Sequence, residues 1–326
     1  MSLSWGILAP GGIAHAFTSD LRTAGLDVAA VGSRDADRAA RFAHQYGIPR
    51  SYGTYEDLVA DPGVDIVYIA SPHSHHHEHA MLALGAGKHV LIEKALTLDA
   101  GEAAAIRDLA AARGLLAMEA MWTRYLPHMV RIRELIAQGA LGDVHAVIAD
   151  HTQRLSDDPA HRLNALELGG GALLDLGIYP VSFAWDILGP MTDIRATGRL
   201  GQTGADTEVA IAATHAGGAV SSLVCSSRAA GPNIAHVLGS AASLAIDRVW
   251  YVASSFRLIA ADQTVLEEYR SRIDGRGMQY QALHAERLIQ EGRTDSDLLP
   301  IDESVAIMAA LDDIRAQVGV SYPKER

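Results

Sequence analysis

Along the first third of the chain, short continuous apolar runs alternate with longer stretches of helical spacing. Residues 4–9 (SWGILA) form an apolar run that ends in Gly11–Gly12, and a helical stretch follows to about Thr23. Asp27–Ser33 reads as a second buried strand. The Ala- and Arg-rich Asp35–Tyr46 reads as a helix, closed by Gly47-Ile48-Pro49. Asp65–Ser71 (DIVYIAS) is the strongest strand, followed by a helix to about Ala86. A strand at His89–Glu93, a helix at about Asp99–Arg113 and a strand at Leu115–Met118 complete the series. Strands apolar on both faces, alternating with helices, predict a parallel sheet covered on both sides. Right-handed connections between them make it doubly wound.

The rhythm changes after about Trp122. A helix at about Arg124–Gln138 ends at Gly139, and strand Asp143–Gln153 follows. A glycine-opened helix then leads into strands at about 192–203, 206–216, 219–227 and 242–262. Runs such as AVSSLVCSS alternate, as an antiparallel sheet covered on one face requires. The expectation is therefore an α/β domain over 1–122 joined to an α+β domain over 123–326. No repeat or low-complexity linker separates them.

Composition narrows the function. A length of 326 residues suits two domains at roughly 150 residues each. With 49% hydrophobic and 20% charged residues the chain is neither disordered nor fibrous. The balance of 27 basic against 39 acidic residues, with no Lys/Arg run, argues against a nucleic-acid partner. No apolar stretch reaches the ~18 residues of a membrane span, and the start lacks a basic signal-peptide region. The lone Cys225 offers no disulfide and no multi-cysteine zinc site. Together these features predict a cytoplasmic protein with no membrane partner.

The turn Ala9-Pro10-Gly11-Gly12-Ile13-Ala14 closes the first strand and opens a helix. A dinucleotide site needs a tight turn, a close backbone approach to pyrophosphate and close helix–strand packing there. Gly11 and Gly12 fall at the approach, while the first glycine of the fingerprint is Ala9. Strand two ends in Ser33-Arg34, with Arg38 one helical turn on. A guanidinium and a hydroxyl suit a 2′-phosphate, and so NADP. Asp35 and Asp37 close by leave NAD open, and the same arginines would also suit a solvated helix.

Five histidines occupy seven residues from His73 to His79, where the strongest strand ends. A metal is disfavoured because there is no HExxH and no nearby cysteine. Nicotinamide or substrate contact by His73 and His76 is the stronger reading, with the other histidines on a solvated helix start. Glu93-Lys94 ends a further strand, so Lys94 points into the crevice outside the carboxyl edge. In the second domain, GGGALLDLGIYPV sets Asp175 and Tyr179 one helical turn apart, with a kink expected at Pro180. An ammonium beside a phenol favours the phenolate, so Lys94 with Tyr179 makes a proton-transfer pair. A core tyrosine and a surface lysine are the plain alternative. None of the ten tyrosines has a lysine four residues on, and Gly87-Lys88 is not a P-loop.

The chain resembles the Gfo/Idh/MocA oxidoreductases. The resemblance spans its length and rests on AGKHVLIEKA (86–95), MEAMWTRYLP (118–127), GGGALLDLGIYPV (169–181) and GVSYPKER (319–326). The family's Glu-Lys-Pro signature appears as Glu93-Lys94-Ala95. The resemblance implies an N-terminal Rossmann domain, an active site at the domain junction, and an open-faced antiparallel sheet that dimerises. It puts the family lysine at Lys94 and the Asp-x-x-x-Tyr helix at Asp175 and Tyr179. Nicotinamide contacts fall on Ser71, Pro72, His73 and His76, and substrate or nicotinamide contacts on Trp122 and Arg124. The expected activity is NADP-dependent hydride transfer at a carbinol carbon of a sugar, polyol or cyclic diol. A non-catalytic NAD(P)-binding sensor of the same fold and a metal-assisted lyase are the rivals.

Overall fold

The apolar runs become strands because each buries side chains on both faces. In the computed structural model, which describes residues 3–323, these are Ser4–Leu8 (β1), Asp27–Gly32 (β2), Ile66–Ile69 (β4), His89–Glu93 (β5) and Ala117–Ala120 (β6). With Arg50–Tyr52 (β3) they pair in parallel in the order β3-β2-β1-β4-β5-β6. The order reverses direction between β1 and β4, where an open parallel sheet leaves a crevice at its carboxyl edge. Helices Gly12–Thr23 (α1), Ala36–Tyr46 (α2), Tyr55–Ala60 (α3), His76–Gly85 (α4) and Ala100–Arg113 (α5) make the connections. Asp35, Thr54 and Asp99 cap α2, α3 and α5 by accepting the backbone N–H three residues on. Neither β3 nor α3 stands out in the sequence, since one is a three-residue edge strand and the other barely over one turn.

Past Trp122, Pro127 opens the next helix, Pro127–Ala137 (α6), so it starts later than the expected Arg124. The second sheet contains Val144–Thr152 (β7), Met191–Leu200 (β8), Asp206–His215 (β9), Val220–Ser226 (β10), Ala235–Gly239 (β11), Ala242–Ile246 (β12), Phe256–Ala260 (β13) and Val265–Tyr269 (β14). Their order is β14-β13-β12-β11-β7-β10-β9-β8, antiparallel except for β7 with β10. The single strand expected over 242–262 is two. The segment between β12 and β13 leaves the sheet and buries Trp250 and Tyr251.

One helical stretch, Leu166–Leu188, is long and apolar enough by composition to cross a membrane, against the sequence expectation. Its most apolar window is 83% buried inside the protein, as befits a core helix. It ends in Ile178–Leu188 (α7), which packs on β7 and β10. Ahead of α7, Leu173–Gly177 is a π turn in which the Ile178 N–H reaches Leu173 O, five residues back. Pro180 has no N–H to continue an ordinary ladder, and the widened turn lies just before it. On the opposite face of the sheet Ile148, Val220 and Val224 are 46%, 50% and 40% exposed.

The chain falls into two compact units, one running to Trp122 with Asp274–Val305, the other Thr123–Ile273 with the chain from Ala306 onward. In the first, helix Gln279–Gln290 (α8) lies against α1. The buried Asp20 carboxylate accepts Arg276 N–H at 3.0 Å and Met278 N–H at 2.8 Å, and Trp5 Nε1 donates to Glu286 at 2.9 Å. Helix Ile301–Val318 (α9) supplies residues to both units. The last three residues of the GVSYPKER ending lie outside the described residues.

Candidate active site

In the first unit, four strand ends share one edge. At the end of β1, Ala9 takes φ +66°, the left-handed conformation for which the fingerprint's first glycine is suited. Its N–H donates to Gly32 O at 3.1 Å and its carbonyl accepts Gly11 N–H at 2.8 Å, which tightens the turn between β1 and β2. A Cβ on Gly11 would meet only Ala9 O, at 4.0 Å, and one on Gly12 would meet nothing within 4 Å. Packing therefore does not demand these glycines; bare backbone lies there in open space. Gly11 begins α1 without a side-chain cap, leaving helix N–H groups for an anion. Ile13 is half-buried and Ala14 fully buried, so the helix start seats on the sheet. This arrangement fits a pyrophosphate.

Ser33 and Arg34 follow β2. Ser33 is buried with Oγ accepting Asp35 N–H at 3.1 Å, while Arg34 and Arg38 are exposed. The Asp35 carboxylate, which by sequence alone counts against a phosphate, accepts Arg38 N–H at 3.0 Å as the α2 cap. The Arg34 guanidinium hydrogen-bonds the Tyr55 hydroxyl, whose ring lies edge-on to His79. A cationic donor and a hydroxyl thus stand where a 2′-phosphate would be read.

At the end of β4 come Ser71 and half-buried Pro72, then a short 3₁₀ turn, His73–His75. The histidines turn inward. His73 Nε2 lies 3.1 Å from Lys94 O, and His79 Nδ1 lies 2.9 Å from Ser71 Oγ. His76 is fully buried, with Nε2 2.8 Å from Ser71 O and Nδ1 3.0 Å from Ala95 O. Burial, helped by neighbouring His73, pushes His76 down to about 3; burial first and then His75 push His79 down to about 4. Both are neutral near pH 7, and His76 is a poor general base there. Among the described residues no group of three or more His, Cys, Asp or Glu is placed to hold a metal ion.

The end of β5 carries Glu93 and Lys94. Glu93 is buried and accepts the Tyr68 hydroxyl, whose ring stacks on Phe17. Lys94 is half-buried on the same carboxyl edge, and its peptide to Ala95 is cis. Trp122 is 4% exposed with the Arg276 guanidinium 5.9 Å above its ring, so it is covered rather than open.

In the second unit, Asp175 and Tyr179 lie on the helical stretch before and at the start of α7, both buried. Asp175 accepts both guanidinium nitrogens of Arg162, at 3.2 and 3.3 Å. The Tyr179 ring meets His151 edge-on at 4.9 Å and Tyr251 at 5.5 Å, while His151 stacks on Tyr251 at 3.6 Å. Gln153 Nε2 approaches His151 at 2.8 Å and Tyr251 Oη at 3.3 Å. Burial pushes the Tyr251 hydroxyl up to about 12.

The start of this helix is held by Asp206, a fully buried carboxyl accepting Leu173 N–H at 2.6 Å. Gly171 allows the approach, since a Cβ there would fall 2.3 Å from Asp206 Oδ1 and its φ is +146°. Arg124, expected among the substrate contacts, is 3% exposed and pairs with Asp186 at 3.0 Å and Ser182 O at 2.8 Å. Its guanidinium is committed to bracing α7. Arg162, His151, Tyr251 and Asp206 escaped the sequence reading. The doublet Tyr251 beside Trp250 was the one legible signal among them.

Comparison with known proteins places the chain in a family. Residues 4–121 match the oxidoreductase family with the NAD-binding Rossmann fold, and residues 129–245 match the GFO/IDH/MocA C-terminal domain. A trans-1,2-dihydrobenzene-1,2-diol dehydrogenase of Mus musculus is 35% identical over 100% of both chains. D-xylose 1-dehydrogenase (NADP(+)) of Hypocrea jecorina is 34% identical over 99% of this chain and 94% of its own. A tyrosine-to-phenylalanine variant of a 3-ketoreductase from Actinomadura kijaniata, solved with NADP and TDP-benzene, superimposes with a TM-score of 0.86 at 25% identity over 98% of each chain. With a doubly wound sheet fitted to a dinucleotide and both halves matched, the chain belongs to the Gfo/Idh/MocA family of NAD(P)-dependent oxidoreductases.

Proposed function

We propose that the protein oxidises a carbinol carbon of a sugar, polyol or cyclic diol, with NADP as the hydride acceptor. The observation that carries this reading is the position of Lys94. It stands at the carboxyl end of β5, on the sheet edge that also bears the Gly11–Gly12 turn and Ser33-Arg34. The activities named for the mouse and Hypocrea relatives, on a dihydrodiol and on xylose, support the substrate class.

In this reading Tyr179 takes the hydroxyl proton of the substrate. Lys94 lowers the tyrosine pKa through its positive charge and orients the substrate oxygen. Asp175, held by Arg162, fixes the helical turn from which Tyr179 projects. Backbone N–H groups of Gly12 and Ile13, opened to approach at Gly11, hold the pyrophosphate; Ser33, Arg34 and Arg38 receive the 2′-phosphate. Ser71, Pro72, His73 and Glu93 shape the nicotinamide end. The bound nicotinamide supplies the hydride chemistry; the chain supplies orientation and proton transfer.

A panel of aldoses, inositols and dihydrodiols, followed by reduced-nicotinamide absorbance, tests the substrate class. Tyr179→Phe should keep NADP binding and lose turnover by roughly 10²–10⁴. Lys94→Met should lose activity as well, and Lys94→Arg should not restore it, because a guanidinium fork does not replace a compact ammonium. Full turnover in Tyr179→Phe overturns the relay. A sensor of the same fold would bind NADP and turn over nothing on the panel.

We also propose a cytoplasmic homodimer. The lone, buried Cys225 suits a reducing compartment. Register places Ile148 beside Ser222, between Val220 and Val224, and Ala210 and Ala212 extend the apolar strip on β9. An exposed strip of this kind on an open sheet suits an isologous partner.

A further inference from the structure

The turn that carries Lys94 has its carbonyls aimed at histidine rings from the neighbouring strand end. Lys94 O faces His73 Nε2 at 3.1 Å. Ala95 O and Leu96 O face His76 Nδ1 at 3.0 and 3.2 Å. On its other side His76 Nε2 lies 2.8 Å from Ser71 O. The ring is 0% exposed, so no water competes for these groups. The amide of the same turn is fixed too: Leu96 N–H donates to Glu119 Oε1 at 3.2 Å, and Glu119 Oε2 accepts Ser304 Oγ at 2.7 Å.

We propose that His76 is a positioning residue for Lys94. Through Nδ1–H it donates to the carbonyls of Ala95 and Leu96, and so fixes the direction in which the ammonium leaves the sheet edge. The proposal rests on the role assigned to Lys94 above.

The chemistry of imidazole makes it specific. A neutral ring has one N–H, so it can donate on one side only. Burial keeps His76 neutral across the working range of pH. Two carbonyls converge on Nδ1 and one on Nε2; the proposal places the proton on Nδ1, toward the Lys94 turn, and the amide variants below test that placement. The titratable neighbour facing the ring is His73, edge-on at 5.5 Å, and it holds the adjoining carbonyl of the same turn. His73 and His76, which the sequence suggests as nicotinamide or substrate contacts, thereby brace the start of α4 against the Lys94 turn. Neither ring nitrogen of His76 faces solvent.

Asparagine and glutamine separate the two sides of the ring, since the Asn amide reaches about as far as Nδ1 and the Gln amide about as far as Nε2. His76→Asn should keep a donor toward Ala95 and Leu96 and retain kcat within a few-fold. His76→Gln and His76→Ala should lower kcat by about 10²-fold, the scale of a misplacement of about 1 Å in a catalytic group. The KM for NADP should stay nearly constant in all three. In the two impaired variants the basic limb of the pH–rate profile should move up toward the ~10 of an isolated phenol, a change that general loosening does not produce. Circular dichroism and NADP binding identify the folded variants; if His76→Ala does not fold, the Asn–Gln pair decides. Equal kcat and an unmoved basic limb in His76→Gln and His76→Asn overturn the proposal. Lys94→Met separates the two levels. If it stays active, the relay itself fails. If it is inactive while His76→Gln is fully active, only the brace fails.

Discussion

The two sheets present their candidate site residues in opposite ways. In the parallel sheet, each candidate group follows the last residue of a strand: Gly11 after β1, Ser33 and Arg34 after β2, Ser71 after β4, Lys94 after β5. Chain direction alone gathers them on one edge. In the second unit, Asp175 and Tyr179 stand on one helix packed against a sheet, and their surroundings come from far along the chain: Arg162, His151, Tyr251, and Asp206 at the helix start. A parallel sheet collects a site by topology, whereas a helix on an open sheet collects one by packing. Three substitutions test that contrast.

The largest effect is expected at Asp206. Burial raises its carboxyl from 3.8 to about 6, against the lowering by the Leu173 N–H and the nearby Arg315 charge. The folded state therefore holds this proton more tightly than the unfolded chain. The associated stability is complete below about pH 4 and is lost as pH rises through about 6. A shift of this size corresponds to on the order of 3 kcal/mol by pH 8. Asp206→Asn keeps an oxygen for Leu173 N–H and titrates nothing. Denaturant midpoints from pH 4 to 8 should show a flattened stability profile in the variant, and parallel profiles would place the burden elsewhere.

Next comes Arg34. A charge-assisted contact to the 2′-phosphate is worth roughly 1.5–3 kcal/mol, or about 10- to 150-fold. Arg34→Ala should weaken NADP by about that factor and leave NAD nearly unchanged in titrations of bound cofactor. Equal losses would show that the edge residue reads the adenosine rather than the phosphate.

The smallest single effect lies on the open sheet face. Val224→Ala removes apolar area worth about 1 kcal/mol per copy, which weakens a symmetric dimer by more than tenfold because both copies lose it. Light scattering across a dilution series should register the shift. A wild-type monomer at micromolar concentration would remove the dimer from the proposal.

The sequence by itself determined the doubly wound sheet, the glycine turn after β1, the place of Lys94 at a strand end and the Asp175–Tyr179 spacing. These depend on local signals: strands apolar on both faces, glycines opening a helix, and a fixed offset within one helix. Its failures were of one kind. The strand expected at 242–262 broke because Trp250 and Tyr251 bury outside the sheet, which no alternation reveals. Arg124 read as a substrate contact until α7 supplied Asp186 and Ser182. His73 and His76 read as nicotinamide or substrate contacts until their ring nitrogens met the carbonyls of 71 and 94–96. Whether a polar side chain faces substrate or braces the backbone depends on partners tens of residues away. Spacing fixes which groups lie near one another along an element, and only packing decides what each of them is left to bind.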